Sequence, residues 1–362
     1  MESNVLVPGA RRLETSQETI EITHAVDAQC WDAFVRQHPH GTLFHLMGWQ
    51  RLIENALEHE PLHIVARASG TAEVAGILPL FLVRSRIFGR MLVSTPQAAY
   101  GGILARSDAV AGLIFERARR LAAELSVEFL ELRSFHNALG SETLLRKDLY
   151  VTFRQQLQPD PDANMLAIPR KTRAEVREGA RRGLEFKVNE ISVREFFNVY
   201  SRSVRDLGTP TFPRRLFEGG LREFGSDCKL FSVHWRGKLA SAVWTLFYKD
   251  EIVPYFGGSI REYNPLAVNS FMYGSLMKYG CENGYRVFDF GRSKKGSGSF
   301  HFKKRWGMTM TDLPYEYLLV RRENMPDTSP MNPKFQLCVK AWRRLPLFLT
   351  RGLGPVISRH LI

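Results

Sequence analysis

The chain reads as an α+β protein made of two successive units of one pattern, followed by a basic amphipathic tail. Three observations predict this. The first is a repeated order of strand, turn, strand, strand, helix, strand, once over about 62–133 and again over about 230–293. The second is size and composition: 362 residues are too many for one ordinary core, and 44% hydrophobic with 11% aromatic residues suffice for two. The third is that each unit combines antiparallel strands with a helix that crosses back to a last strand, which gives an α+β layer rather than a doubly wound sheet.

In the first copy LHIVARA turns at Ser69-Gly70 into VAGILPLFLV; MLVSTPQAAYGGIL, the helix AVAGLIFERARRLAAEL and the strand VEFLELRSF follow. In the second, LFSVHW turns at Arg236-Gly237 into KLASAVWTLFY, and then come EIVPYFGGSI, the helix LAVNSFMYGSLMKYGCENG and the strand RVFDFGRS. The closing strands align best, Arg133-Ser134 against Arg292-Ser293, and a chance likeness of two α/β segments is the alternative. Between the copies QPDPD is a connector, and a helix starts at Pro169 and stops at Gly183. Helical spacing stacks Arg170, Arg173, Arg177 and Arg181 on one of its faces, a phosphate-tracking stripe or a solvated one. The next helix, about Val193 to Asp206, follows Ser192, with Glu195 completing a capping box. Asn264-Pro265 reads as N-cap and first residue of the second copy's main helix. The resulting boundaries are an N-terminal extension 1–20, a first domain 21–157, a second domain 158–322 and a tail 323–362.

The net charge is +13, and it is concentrated. Arg170 to Arg182 holds six basic and two acidic residues, Arg292 to Arg305 six basic and none acidic, and the segment from Arg321 onward eight basic and two acidic. The remainder is slightly acidic, so the basicity sits where it could meet a polyanion. In the tail, 334–362 lacks any acid. There Phe335, Cys338 or Val339, Trp342 and Leu345 recur at helical spacing beside Lys334, Lys340, Arg343 and Arg344. That composition suits an interfacial helix on anionic lipid or a helix docked on the second domain.

Cys30, Cys228, Cys281 and Cys338 are far apart with no C-x-x-C pair, which fits reduced thiols. The N-terminal stretch has no apolar core of a secretory signal, and no apolar run approaches the roughly 18 residues of a membrane span. The expectation is a cytoplasmic protein, peripheral at the inner face of the membrane if the tail meets lipid. His38, His40, His45, His59 and His63 crowd one region without zinc-type spacing, so they read as surface or packing residues and no metal is expected.

The chemistry concentrates between Gly284 and Tyr317. Val287, Phe288 and Phe290 surround Asp289, Gly291 ends the strand, and a cationic loop follows. Such a loop can aim several N–H groups and cations at one phosphate or developing oxyanion. Phe300, Phe302 and Trp306 interleave with the cations and suggest a binding surface. Asp289, partly desolvated between two phenylalanines, would be a stronger proton acceptor. Its structural alternative is to accept hydrogen bonds from the following loop or to pair with Arg292. Arg292, Ser293, Lys294, Lys295 and Lys304 are candidates for holding donor or acceptor phosphates, with Arg170, Lys171, Arg173, Arg177 and Arg181 on the basic helix and Tyr255 and Asn264 ahead of the second copy's helix.

These residues carry a resemblance. KTRAEVREGARRGL from Lys171, FDFGRSKKGSGSFHFKKRWG from Phe288, WDAFVRQHPHGTLFHLMGW from Trp31 and the duplication together resemble the FemAB-like acyltransferases, nearest to the branch associated with exosortase (PEP-CTERM) and exopolysaccharide systems of Gram-negative bacteria. The likeness runs from about Trp31 to Val320. It implies two tandem domains of the GNAT (acyl-CoA N-acyltransferase) fold and transfer of an acyl or aminoacyl group to an amine of a cell-envelope glycan or its precursor. It implies no tightly bound cofactor, with aminoacyl-tRNA or an acyl thioester as donor. Lys303 matches the lysine that Fem enzymes place near the reacting ester, where it would stabilise the oxyanion. The loop Ser259 to Leu266 lacks the glycines with which coenzyme-A-using relatives hold a pyrophosphate, so acyl-CoA is disfavoured. The coiled-coil arm of some cell-wall Fem enzymes is also missing, so transfer to the lipid-linked peptidoglycan precursor itself is not implied. No Ser or Cys triad is visible, which favours direct attack by the acceptor amine. The competing readings are a tRNA-binding module, or a membrane-peripheral assembly protein with a degenerate site; an intact Lys303 motif argues for the enzyme.

Overall fold

The computed structural model describes residues 19–25, 27–135, 139–325 and 333–361. The expected N-terminal extension lies almost wholly outside them. The first copy begins with β1 (Ile20–Thr23), α1 (Ala28–Gln37), α2 (Met47–Leu57) and β2 (Glu60–Pro61). Then come β3 (Ile64–Ala68), β4 (Val74–Leu78), β5 (Leu80–Ser85), β6 (Gly89–Ser94), β7 (Leu104–Ala105), α3 (Asp108–Glu124) and β8 (Phe129–Arg133). Pro79, which has no N–H for a ladder, divides what reads as one strand in the sequence into β4 and β5. After β9 (Leu145–Lys147) and β10 (Tyr150–Gln156) come α4 (Pro161–Ala167), α5 (Arg170–Arg181), β11 (Leu184–Val188), α6 (Val193–Leu207) and α7 (Arg214–Phe224). The second copy has β12 (Cys228–Trp235), β13 (Lys238–Tyr248), β14 (Glu251–Ser259), α8 (Val268–Glu282) and β15 (Val287–Asp289). The chain closes with β16 (Ser293–Lys294), α9 (Gly298–Lys304), β17 (Thr309–Asp312), β18 (Tyr315–Leu319), α10 (Pro333–Arg344) and α11 (Leu347–Ser358).

The duplication is visible in the sheets. In each copy a strand ahead of the helix and the strand after it run parallel. β6 and β8 pair from Met91↔Phe129 to Val93↔Glu131, whereas β14 and β15 pair only at Glu251↔Val287 and Ile252↔Phe288. β14 continues to Ser259, so the second pair parts early and leaves the end of β15 without a partner on its β14 side.

The copies exchange strands across the expected boundary at 157. β10, which precedes it, joins the second sheet in the order β11-β12-β13-β14-β15-β10-β16, with β17 also on β10. β18, which lies in the expected second domain, joins the first copy's sheet in the order β2-β5-β6-β8-β18-β9, beside a four-stranded sheet β1-β3-β4-β7. One apolar cluster spans both halves, bringing Trp49, Phe81 and Tyr100 together with Phe196, Phe217 and Trp244.

Local signals explain most element ends. Ser192 and Glu195 form the capping box of α6, α5 follows Pro169, and Gly183 and Gly291 adopt φ of +76° and +64° where the chain leaves α5 and β15. Two expectations are corrected. Asn264-Pro265 does not cap α8: both lie in a 3-10 turn, Arg261–Leu266, the Asn264 side chain accepts from Ser259 Oγ at 3.3 Å, and α8 starts after Ala267 at φ 59°. The cationic segment after Gly291 is not one loop, because Ser297 caps α9 and puts Lys303 and Lys304 on a helix.

The tail docks on the protein. Both α10 and α11 contact α6, and Trp342 is buried. The end of the chain then reaches the first copy, where Ser85 Oγ donates to the His360 carbonyl at 2.9 Å and Gln97 Nε2 to that of Leu361 at 2.8 Å.

Candidate active site

The site forms where β15 ends. Register places Asp289 opposite Arg154 of β10, and Lys294 opposite Tyr150, so alternation turns Tyr150, Thr152 and Arg154 to one face with them. Asp289 is 0% exposed. Its Oδ1 accepts from Thr152 Oγ1 and from the Gly291 N–H, and its Oδ2 from the Tyr100 hydroxyl, each at 2.7 Å; Arg154 Nη1 stands 3.7 Å from Oδ2. Burial, then the Asp289 carboxylate, raises the Tyr100 phenol well above its ordinary value, so it stays a donor. Both carboxylate oxygens are thus engaged, and Asp289 ties the Gly291 turn to the Tyr100 hydroxyl, which is the structural alternative the sequence offers for it.

Lys303 reaches the same turn from α9. Its Nζ donates to the carbonyls of Phe290, Gly291 and Arg292 at 2.6, 3.2 and 3.4 Å. Burial lowers its pKa to about 8, against the raising effect of Asp289 and with the help of Arg292. Arg292 is half-buried with its guanidinium 4.9 Å from the centre of the Tyr150 ring and 5.9 Å from that of Tyr315. Tyr255 donates to the Gln97 carbonyl at 2.6 Å and lies against Gly291, the carbonyl's own residue being the one that holds Leu361.

The aromatic residues expected to make a binding surface are largely core. Trp306 is buried among Phe290, Phe302 and Tyr273, and Phe300 packs on Phe153. They anchor α9 and thereby aim Lys303. The remaining candidates divide. Lys295 is tied to Asp148 and, at 2.8 Å, to Asp312; Ser293 is buried; Lys294 is half-buried on β16; Lys304 is exposed over Phe300; and Asn264 is exposed on its turn. On α5, Arg173 donates to the Leu166 carbonyl and Arg181 pairs with Glu178, while Arg170, Lys171 and Arg177 are exposed. That helix is joined to the site by Thr172 Oγ1, which donates to the Arg305 carbonyl at 2.8 Å, and by an Arg305–Glu175 pair at 3.1 Å.

Sequence reasoning missed Tyr100, Thr152, Arg154, Arg133 and Tyr315. The first copy supplies Arg133, whose guanidinium lies 5.5 Å from the centre of the Tyr315 ring that Arg292 also faces, so the two closing strands meet at one tyrosine. The polar alternation Tyr150, Thr152, Arg154 was the available signal, on a strand that reads as part of the other sheet. Beside this centre a cavity of about 580 Å³ is lined by His38, His40, His45, Gly102, Ser134 and Phe135. Phe135 packs against Tyr100 with ring centroids 4.4 Å apart, so the cavity wall adjoins the partner of Asp289. Burial drives His45 down to about 3 and keeps it neutral, its ring held between Thr42 Oγ1 and the Gly102 carbonyl at 2.8 and 3.2 Å.

Residues 170–304 match the family model of the acetyltransferase (GNAT) domain, a stretch that contains Asp289, Arg292 and Lys303. The fold is similar to the crystal structure of FemX, at 16% identity over 88% of this chain and 100% of that one with a TM-score of 0.62. It is similar to L-PGS from Bacillus licheniformis, at 14% identity over 88% and 98% with a TM-score of 0.53. A tandem GNAT protein from the clavulanic acid biosynthesis pathway gives 12% identity over 84% and 100% with a TM-score of 0.53. No curated protein sequence matches the chain. The domain match and these tandem neighbours support an acyltransferase built on two GNAT-fold units.

Proposed function

We propose that the chain transfers an acyl or aminoacyl group to an amine of a cell-envelope glycan or its precursor, with aminoacyl-tRNA or an acyl thioester as donor. The observation that carries this is the Lys303 ammonium held over the carbonyls of 290–292 beside Arg292, at the end of β15. The acceptor amine attacks the donor carbonyl, a C–N bond forms, and the bond to the leaving oxygen or sulfur breaks. The proton lost by nitrogen leaves with the departing group or solvent. Lys303 donates to the oxyanion as it develops, and Asp289 keeps the Gly291 turn in place for it. The exposed cations Arg170, Lys171 and Arg177 on α5, next to α9, suit a polyanionic donor such as tRNA. The glycine-free Ser259–Leu266 turn argues against acyl-CoA, and the cavity beside Tyr100 has the size for an acceptor glycan unit. The glycan itself rests on the likeness to exopolysaccharide-associated FemAB-like proteins. The test is to incubate the protein with charged tRNA and, separately, with acyl-CoA, each with an amino sugar acceptor, and to follow donor consumption. Loss of the aminoacyl ester dependent on acceptor and on Lys303 is expected; salt-sensitive tRNA binding with no consumption would make the chain a binding module.

A further inference from the structure

Helix α11 is mounted the opposite way from a helix that completes a core. Its buried positions are Thr350, Gly354 and Ser358, one helical turn apart, and all are small. Gly354 lies so close on Thr211 that an added Cβ would stand 2.7 Å from its methyl group, and Arg351 donates to Ser201 Oγ at 2.9 Å on α6. Small residues and one cation therefore fix the helix, and its bulky side chains face water: Phe348 is 73% exposed, Leu353 48% and Val356 50%. Leu337 on α10 is also exposed. Exposed Lys340 and Arg344 share a face of α10 with Leu337 at helical spacing, and 334–362 contains no acid.

We propose that this face is a docking surface for an anionic lipid bilayer. Helix α11 lies in the plane of the interface with Phe348, Leu353 and Val356 among the acyl chains, while Lys340 and Arg344 meet headgroup phosphates. Charge complementarity selects this occupant: a second copy would press the same cations together, whereas anionic headgroups satisfy them in the layer just above an apolar interior. No described helix is long and apolar enough to cross a membrane, so the attachment is peripheral. The stripe that the sequence offers for this role, through Trp342, instead holds α10 to the protein and leaves α11 outward.

The experiment is sedimentation of the full chain with vesicles of phosphatidylcholine and phosphatidylglycerol, and with pure phosphatidylcholine vesicles. The wild type sediments with the mixed vesicles alone. Phe348→Ser with Leu353→Ser lowers partitioning at least about tenfold, because two large side chains no longer leave water. Lys340→Gln with Arg344→Gln flattens the salt dependence, and Leu113→Ser, which alters an exposed leucine on α3, changes nothing. Leu349→Ser alone reads the same face through a milder change should the double variant melt lower than wild type. No sedimentation of the wild type, equal binding by the apolar variants, or a wild-type dimer that those variants dissociate would overturn the proposal.

Discussion

The two copies end their parallel strand pairs differently. In the first, Glu131 on β8 is closed by Arg133 at 2.7 Å, both are almost fully buried, and the guanidinium also donates to the Ala98 carbonyl at 3.2 Å. In the second, the buried acid near the strand end is Asp289, which accepts from the Gly291 N–H where the chain turns away, and Lys303 reaches that turn from α9, half-buried. One scaffold thus carries a cation that is sealed and a cation that is half-buried. The difference arises from one glycine after the strand and seven residues of helix.

Arg133→Met attacks the sealed side and should have the largest effect. It strands the Glu131 carboxylate in the interior, which costs about 3–5 kcal/mol, read as a lower urea midpoint. Lys303→Met attacks the half-buried side: turnover falls at least about tenfold while the urea midpoint stays near wild type. Full activity in that variant would remove Lys303 from the chemistry, and a collapse of stability equal to that of Arg133→Met would erase the contrast between the copies.

The pH dependence sharpens the same contrast. Lys303 has a native value of about 8 against an ordinary 10.5, so between those values the unfolded chain binds the proton and the native one does not. Wild-type stability relative to Lys303→Met should therefore rise with pH across that window. Turnover should fall as pH rises through about 8, because the oxyanion donor loses its charge. Lys303→Arg, which stays charged, should lack that descending limb in a pH–rate profile. The smallest expected change is in binding: Arg170→Gln, Lys171→Gln and Arg177→Gln together should flatten the salt dependence of tRNA affinity by about one unit of slope per lost phosphate contact. An unaltered slope would return α5 to a solvated face.

What the sequence discloses here is local. The Ser192–Glu195 capping box, the Arg236-Gly237 turn and the helix between Pro169 and Gly183 depend on neighbours within four residues, and all three form. Asp289, Lys303 and Arg292 were also legible, since one short motif carries them to one turn. Their partners were not. Tyr100 and Thr152 lie 189 and 137 residues from Asp289 along the chain, and nothing in the alternation of β10 says which sheet it will join. The tail shows the complementary limit: helical periodicity reveals that a face is apolar, yet burial depends on what lies opposite. Trp342 is buried on α10, which lies against α6, and Phe348 on α11 is exposed.

The exchanged strands bear on how the chain is made. β8 is complete at Arg133, but its neighbour β18 begins only at Tyr315, so during synthesis the first half emerges with an open sheet edge until β18 has been made. Domain-by-domain folding in order of synthesis is thereby closed to this molecule, and the last strands to appear lock both halves at once. The wait leaves the edge of β8 unpaired on that side. It also means that a chain stopped short of Thr309 leaves neither half with its complete sheet.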